Sequence, residues 1–333
     1  MQLAKIIIIF IVFIGLSFIY KKIKFNEDTR TNGYYYNMIE KYLLNKDNLG
    51  STMKPILWVY LQNDTAIIPA VNSRFWINFG SRTSSNFNQP YQKLTIQSII
   101  NKCSNDFNIC LIDDSAFNVL IPNWNINLKN IALPLKSHIQ SIAITSLLNA
   151  YGGLLVPSSF ICFKSLKGVY EEILKDDRIL VAEFKNSVCN EKLTTNVIPY
   201  HIFMGCKPNS RIMQKYNNYL SGLASTDFTA EQDFLGKSNL WLEQHIQMNQ
   251  VKCLSGISIG TQNKDGEVIN IEELVGSSFV DLCPNSLGLY IPWNELINRV
   301  NLQWFVRLSP EQVLKSNTFI GKKLLVNQCE YCK

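Results

Sequence analysis

The feature that most limits the fold is an alternation, along residues 55–206, of short unbroken apolar runs with segments of helical periodicity. The runs "PILWVYL" (55–61), "NICLID" (108–113) and "LLV" (154–156) do not alternate apolar with polar residues. That is the pattern of strands covered on both faces. Between them, residues 91–103 place Leu94, Ile96, Ile99 and Ile100 on one side of a helix, and residues 137–151 do the same with Ile139, Ile142, Ala143, Leu147, Leu148 and Tyr151. Strand, helix and strand in this order call for a mostly parallel sheet with crossover helices. "RFWINFG" adds a strand or a packed loop, "GVYEEILKD" a helix, "RILVAEF" and "PYHIFMGC" two strands, and "PNSRIMQKYNNYLSGL" a further helix. Residues 229–248 open with a Thr-x-x-Gln capping box and should form the longest helix of the soluble part. We expect one α/β domain over residues 55–250. A C-terminal extension of short strands, turns and helices, residues 251–333, packs on it.

Ahead of this domain, "IIIIFIVFIGLSFIY" (6–20) carries no charge and is bracketed by Lys5 and by Lys21, Lys22 and Lys24. As a helix it spans roughly 22 Å, short of a hydrocarbon core of about 30 Å, but the bracketing lysines can snorkel and the bilayer can thin. Bulky residues stand where a signal-peptidase site would need small ones, so residues 1–24 read as a retained anchor. Residues 25–54 read as a stalk with a short helix around 36–44. The basic "KKIK" after the apolar run places the soluble part on the cytosolic side. Nine cysteines at scattered spacings fit reduced thiols better than a disulfide framework. Cys329 and Cys332 form the one Cys-x-x-Cys, without the two further ligands a zinc site needs. The charged residues amount to 17% and the net charge to +6, with no basic stripe, which argues against nucleic acid as a partner. The richness in Asn, Ile and Lys suits an AT-rich coding sequence such as those of large DNA viruses.

The stretch "SHIQSIAITSLLNAYGGLLVPSSFICFKSL" (137–166) carries Leu147 and Leu148, then Tyr151-Gly152-Gly153, then a short apolar strand. It resembles a segment shared by glycosyltransferase family 32 and by sugar-nucleotide transferases of the capsular polysaccharide synthesis type. "IPNWNI" before it and "YHIFMGCKPNSRIMQKY" after it extend the similarity over roughly residues 90–250. The resemblance implies a glycosyltransferase-A-like, Rossmann-like fold. It also implies donor contacts at Tyr151, Gly152, Gly153, Ser158 and Ser159. In the family, an Asp-x-Asp after the strand holds Mn²⁺ or Mg²⁺ against the diphosphate of a nucleotide sugar. Here those positions are Pro157, Ser158 and Ser159, the family's upstream Asp falls on Ser141, and its Arg falls on Ile144. Serine hydroxyls are poor substitutes for carboxylates toward a hard cation. Without the metal, the departing diphosphate loses its main electrostatic support.

Tyr-Gly-Gly also has a purely structural reading: a helix stop, a turn, and entry into the sheet until Pro157 ends it. Asp113 and Asp114 stand at the end of a strand, where open α/β sheets place ligand groups, but a pair capping the loop after the strand is the reading the residues favour. Asp233 falls near a late acidic position of the family and equally suits a solvated helix face. Lys136, Lys164 and Lys167 flank the motif as cations for a metal-free donor site. His138, His201 and His245 read as separate structural histidines, and Cys162 as a buried, inert thiol.

The expectation is therefore a membrane-anchored, glycosyltransferase-like protein with a degenerate site and no resident cofactor, acting as a scaffold or structural component with protein partners. The alternative is an active transferase using Mn²⁺ or Mg²⁺ with a nucleotide sugar, or a rearranged metal-free site.

Overall fold

The computed structural model describes residues 40–44, 54–61, 89–174, 176–185, 197–226 and 231–329. The apolar run 6–20, the stalk apart from 40–44 and 54, the "RFWINFG" segment and Cys332 lie outside the described residues. Among the described residues, no helix is long and apolar enough to cross a membrane. Within the expected stalk helix, Glu40–Tyr42 form a 3-10 turn.

The first strand, β1 (Ile56–Tyr60), leads to helix α1 (Gln92–Cys103) and strand β2 (Asn108–Ile112). Helices α2 (Asp114–Leu120) and α3 (Leu135–Tyr151) then lead into β3 (Gly153–Pro157) and the short β4 (Phe160–Cys162). Next come α4 (Lys167–Leu174), β5 (Ile179–Lys185), β6 (Val197–Cys206), α5 (Arg211–Ser225) and α6 (Glu231–Gln247). The last part holds β7 (Val251–Leu254), α7 (Gly256–Ile259), α8 (Ile271–Val275), β8 (Gly288–Tyr290), α9 (Trp293–Asn298), α10 (Gln303–Val306), α11 (Pro310–Lys315) and α12 (Phe319–Cys329).

Six strands make one sheet in the order β2-β1-β3-β6-β5-β7. β1 pairs in parallel with β2 and β3, and β5 with β7, whereas β6 runs antiparallel to both β3 and β5. Five strands thus share one direction and β6 alone opposes them. The sheet is α/β and mostly parallel, compatible with a Rossmann-like fold. Parallel strands cannot be joined by a hairpin, so α1 crosses from β1 to its neighbour β2, and α3 crosses from β2 past β1 to β3.

Helices on both faces explain the unbroken apolar runs: every residue of β3 is buried. One core cluster joins Leu57, Val59, Ile109, Leu154, Val156 and Phe203 of the sheet with Ile96 and Ile99 of α1. A second core unites Tyr91 and Leu94 at α1 with Ile161, Leu289, Phe305, Val313 and Ile320. Asn327 on α12 closes it by donating from Nδ2 to the Cys162 carbonyl over 2.7 Å. The segment after residue 250 is therefore more than a cover. β7 is the sheet's edge strand beside β5, and β8 pairs with β4 in a second, two-stranded sheet.

Candidate functional site

The Tyr-Gly-Gly segment is where α3 stops and the central strand begins. The Gly152 N–H donates to the Leu148 carbonyl over 2.8 Å and closes the helix. Gly152 has φ +66° with ψ −161°, a combination essentially confined to glycine. A side chain there would meet Pro208 at 2.5 Å. Gly153, at φ +100°, brings its backbone against that of Ile56, where a Cβ would lie 2.3 Å from the Ile56 carbonyl oxygen. Trp58 donates from Nε1 to the Gly152 carbonyl over 2.9 Å, and Tyr151 from its hydroxyl to the Leu120 carbonyl over 2.8 Å. All three residues are buried. Their contacts hold α3 and β3 to β1.

Beyond Pro157 the chain turns through Ser158 and Ser159. Ser158 is 6% exposed and donates from Oγ to Gln92 Oε1 over 3.2 Å, while its carbonyl accepts from Thr95 Oγ1 at 2.5 Å. Ser159 is wholly buried and its Oγ has no partner among the described residues.

A cavity of about 440 Å³ opens at the C-terminal ends of β1 and β3. Open α/β sheets present loops and helix ends to ligands at this end. Its wall includes Tyr60, Gln92 and Ser158, the first turns of α3 from Lys136 to Ile144, Tyr200 and His201 of β6, Phe234 of α6, and Trp293, Asn294 and Asn298 of α9. None of the described residues lining it is acidic, and Lys136 is the one lysine or arginine among them.

That lysine is neutralised from behind the wall. Asp114 lies 3.1 Å from Lys136 Nζ, both side chains being less than a tenth exposed. Asp114 also accepts from Gln140 Nε2 over 2.9 Å and from the Tyr60 hydroxyl. Burial, reinforced by the Asp114 charge, holds the Tyr60 phenol well above its ordinary range. Asp113, one residue earlier, points elsewhere: it caps α2 by accepting from the Ser115 N–H at 2.9 Å. Asp233 is exposed on α6, while its neighbour Phe234 is the residue that reaches the cavity. Lys164 bonds the Pro284 carbonyl and Lys167 pairs with Asp106 at 3.5 Å, and neither lines the cavity.

Two histidines that look unrelated in the sequence meet here. His138 is 1% exposed and stacks on Phe234 with ring centroids 3.9 Å apart. His201 is 6% exposed, and its Nε2 lies 2.9 Å from Ser141 Oγ. Burial lowers both, His201 to about 4. The sequence signal was available in part, since His138 and Ser141 share a helix face at i, i+3. His201 sits in a strand whose buried and half-buried residues are mixed, and nothing local ties it to α3. His245 is elsewhere, stacked on Trp241. Cys162 is fully buried with its Sγ 3.8 Å from that of Cys103, and Cys103, Cys110, Cys162, Cys206, Cys253 and Cys283 are free thiols.

No family model matches the chain. No curated protein matches it either.

A divalent cation on a diphosphate needs hard, charged oxygen ligands. The described residues at the end of β3 supply two buried serine hydroxyls, one already bonded to Gln92, and the Asp114 carboxylate that pairs with the lining lysine is engaged by three groups. They do not fit that cation. No group of three or more His, Cys, Asp or Glu among the described residues is arranged to hold a metal.

The lowered His201 sets an acid limit on stability. Between its unfolded value near 6.5 and its folded value of about 4, only the unfolded chain takes up the proton, so stability is full above the upper value and falls as pH drops through this window. The expected loss from this group is about 3 kcal/mol. His138 is shifted in the same direction and adds to it. Urea midpoints at about pH 7 and about pH 4 measure the loss, and His201→Gln should reduce the difference between them.

Proposed function

We propose that this chain is a membrane-anchored, glycosyltransferase-like protein with a glycosyltransferase-A-like core, that it does not carry out metal-dependent sugar transfer, and that it serves as a binding or scaffold component with protein partners. The observation that carries this reading is the neutral end of β3. Buried Ser158 and Ser159 occupy the positions where the resembling families hold a metal, and the Asp114 carboxylate behind the wall is committed to Lys136, Tyr60 and Gln140. The wider support is a mostly parallel sheet whose Tyr-Gly-Gly junction feeds a central strand ending at a cavity.

An active, metal-free transferase would need a free cation facing the diphosphate. The one lysine in the described lining is ion-paired, which favours the inactive reading.

Calorimetric titration of the full-length protein in detergent with UDP- and GDP-sugars, with and without Mn²⁺, tests this. We expect no saturable, Mn²⁺-dependent binding to any donor. Such binding, followed by release of the nucleotide, would return the chain to the active transferases.

A further inference from the structure

We infer that the loop between α2 and α3, with the exposed apolar side chains at its two ends, is the face on which the domain docks against a lipid bilayer. This deepens the reading of residues 6–20 as a membrane anchor and rests on it.

The first support is what the loop leaves in the open. Val119 near the end of α2, Ile126 within the loop, and Leu133 and Leu135 around the start of α3 are between 38% and 52% exposed. Large apolar side chains scattered singly over a surface need no explanation, but four in one short stretch do. The loop that presents them is held in shape. Trp124 donates from Nε1 to the Ile126 carbonyl over 3.1 Å and sets its ring beside that of Phe117, and Leu128 is buried. Lys136, next to Leu135, is paired with Asp114 at the start of α2, which is only about 10 Å long, so Val119 and Leu135 belong to one region of the surface.

The second is charge. Residues 115–135 contain no acid and a single charged residue, Lys129, in a chain of which 17% is charged. The exposed polar positions between the apolar ones, among them Asn123, Asn125 and Asn127, are neutral amides. A cytosolic leaflet repels acids through its negative surface potential, and the hydrocarbon beneath it excludes every charge, whereas an indole suits the boundary. Other exposed apolar side chains have charged neighbours: Val300 follows Arg299, which pairs with Glu272 and Glu295, and Phe279 stands two residues before Asp281.

The third is where the chain enters. Leu43 bridges Cys110 of β2 in antiparallel fashion, and the Leu44 N–H donates to the Ile109 carbonyl over 2.8 Å. From Leu43 to Leu44 the chain thus runs away from the carboxyl end of β2, the end from which α2 and the loop continue. Tyr20, the last residue of the apolar run, precedes Leu43 by 23 residues, which reach at most roughly 80 Å in any conformation. A tether that short keeps the domain at high effective concentration over the bilayer, so a patch too small to bind lipid from solution suffices. Leu133 also lines the cavity at the ends of β1 and β3, and docking therefore holds that cavity near the lipid surface.

Full-length protein reconstituted into phosphatidylcholine vesicles, with and without brominated acyl chains, tests this through its tryptophan fluorescence, once flotation has shown that the protein is vesicle-bound. Trp124→Phe and Trp304→Phe divide the signal among the chain's six tryptophans. Trp304, half exposed in α10, is the control for incidental contact. We expect brominated lipid to quench the wild type, Trp124→Phe to lose much of that quenching, and Trp304→Phe to keep it. Ile126→Asp combined with Leu133→Asp should lose it as well, with flotation and the circular dichroism spectrum unchanged. If that variant does not fold, the Trp124→Phe comparison still decides.

Equal quenching of floated wild type and Trp124→Phe, or quenching that survives the two aspartates, would overturn this inference and leave the anchor reading standing. A second copy or a protein partner covering the loop would give the first of these results. Wild-type protein that does not float with the vesicles would overturn the anchor reading, and this inference with it.

Discussion

Gly153→Ala should destabilise the protein by about 3–5 kcal/mol. Gly153 holds φ +100°, and an added Cβ would lie 2.3 Å from the Ile56 carbonyl oxygen and 3.2 Å from Trp58 Nε1. The obstacle is backbone in β1, which is hydrogen-bonded on one side to β2 and on the other to β3, so it cannot move aside cheaply. A strained φ costs about 1–3 kcal/mol, and overpacking costs a similar amount on top. Gly222 is the control. It is exposed within α5 with open space where its Cβ would be, and Gly222→Ala should stabilise by about 0.5–1 kcal/mol. Denaturant midpoints of the two variants measure the contrast. A Tyr-Gly-Gly segment retained mainly for ligand contact would give the opposite pattern, with binding lost and stability nearly kept.

The second large effect concerns Asp114. Asp114→Ala leaves the Lys136 ammonium buried without its counter-charge and strips a partner from Tyr60 and Gln140. Removing one member of a buried pair typically costs about 3–5 kcal/mol. Removing both is far cheaper, so Asp114→Ala with Lys136→Met should recover most of the loss. A double-mutant cycle by urea denaturation is expected to show a coupling of about 2–3 kcal/mol. If Asp114 served instead as a free acid toward a ligand, its single substitution would leave stability near that of the wild type.

The strands at Ile56–Tyr60, Asn108–Ile112 and Gly153–Pro157 were legible because a strand covered on both faces has to be apolar throughout. Helix α3 was legible from its spacing and from the glycine that ends it. Pairing was not. The reversal of β6 and the edge position of β7 depend on which strands meet across the sheet, and "VIPYHIFMGC" and "VKCL" do not encode that in their own pattern.

The site divides in the same way. The neutral "PSS" after the strand is legible in the sequence itself. The separate fates of Asp113 and Asp114 were not, because adjacent residues at a helix start point in different directions and only the packed structure decides which one goes inside. Lys136 looks in the sequence like an exposed cation beside the motif, and its burial against Asp114 follows from α2 and α3 packing together. His138 and His201 are joined only by the fold.

We propose that the end of β3 does not hold a metal-bound donor. The most direct measurement is anomalous diffraction at the manganese edge from crystals soaked with Mn²⁺ and a UDP-sugar. No manganese peak is expected in the cavity bounded by Gln92, Ser158 and His201. A manganese peak there, carrying the diphosphate, would contradict it.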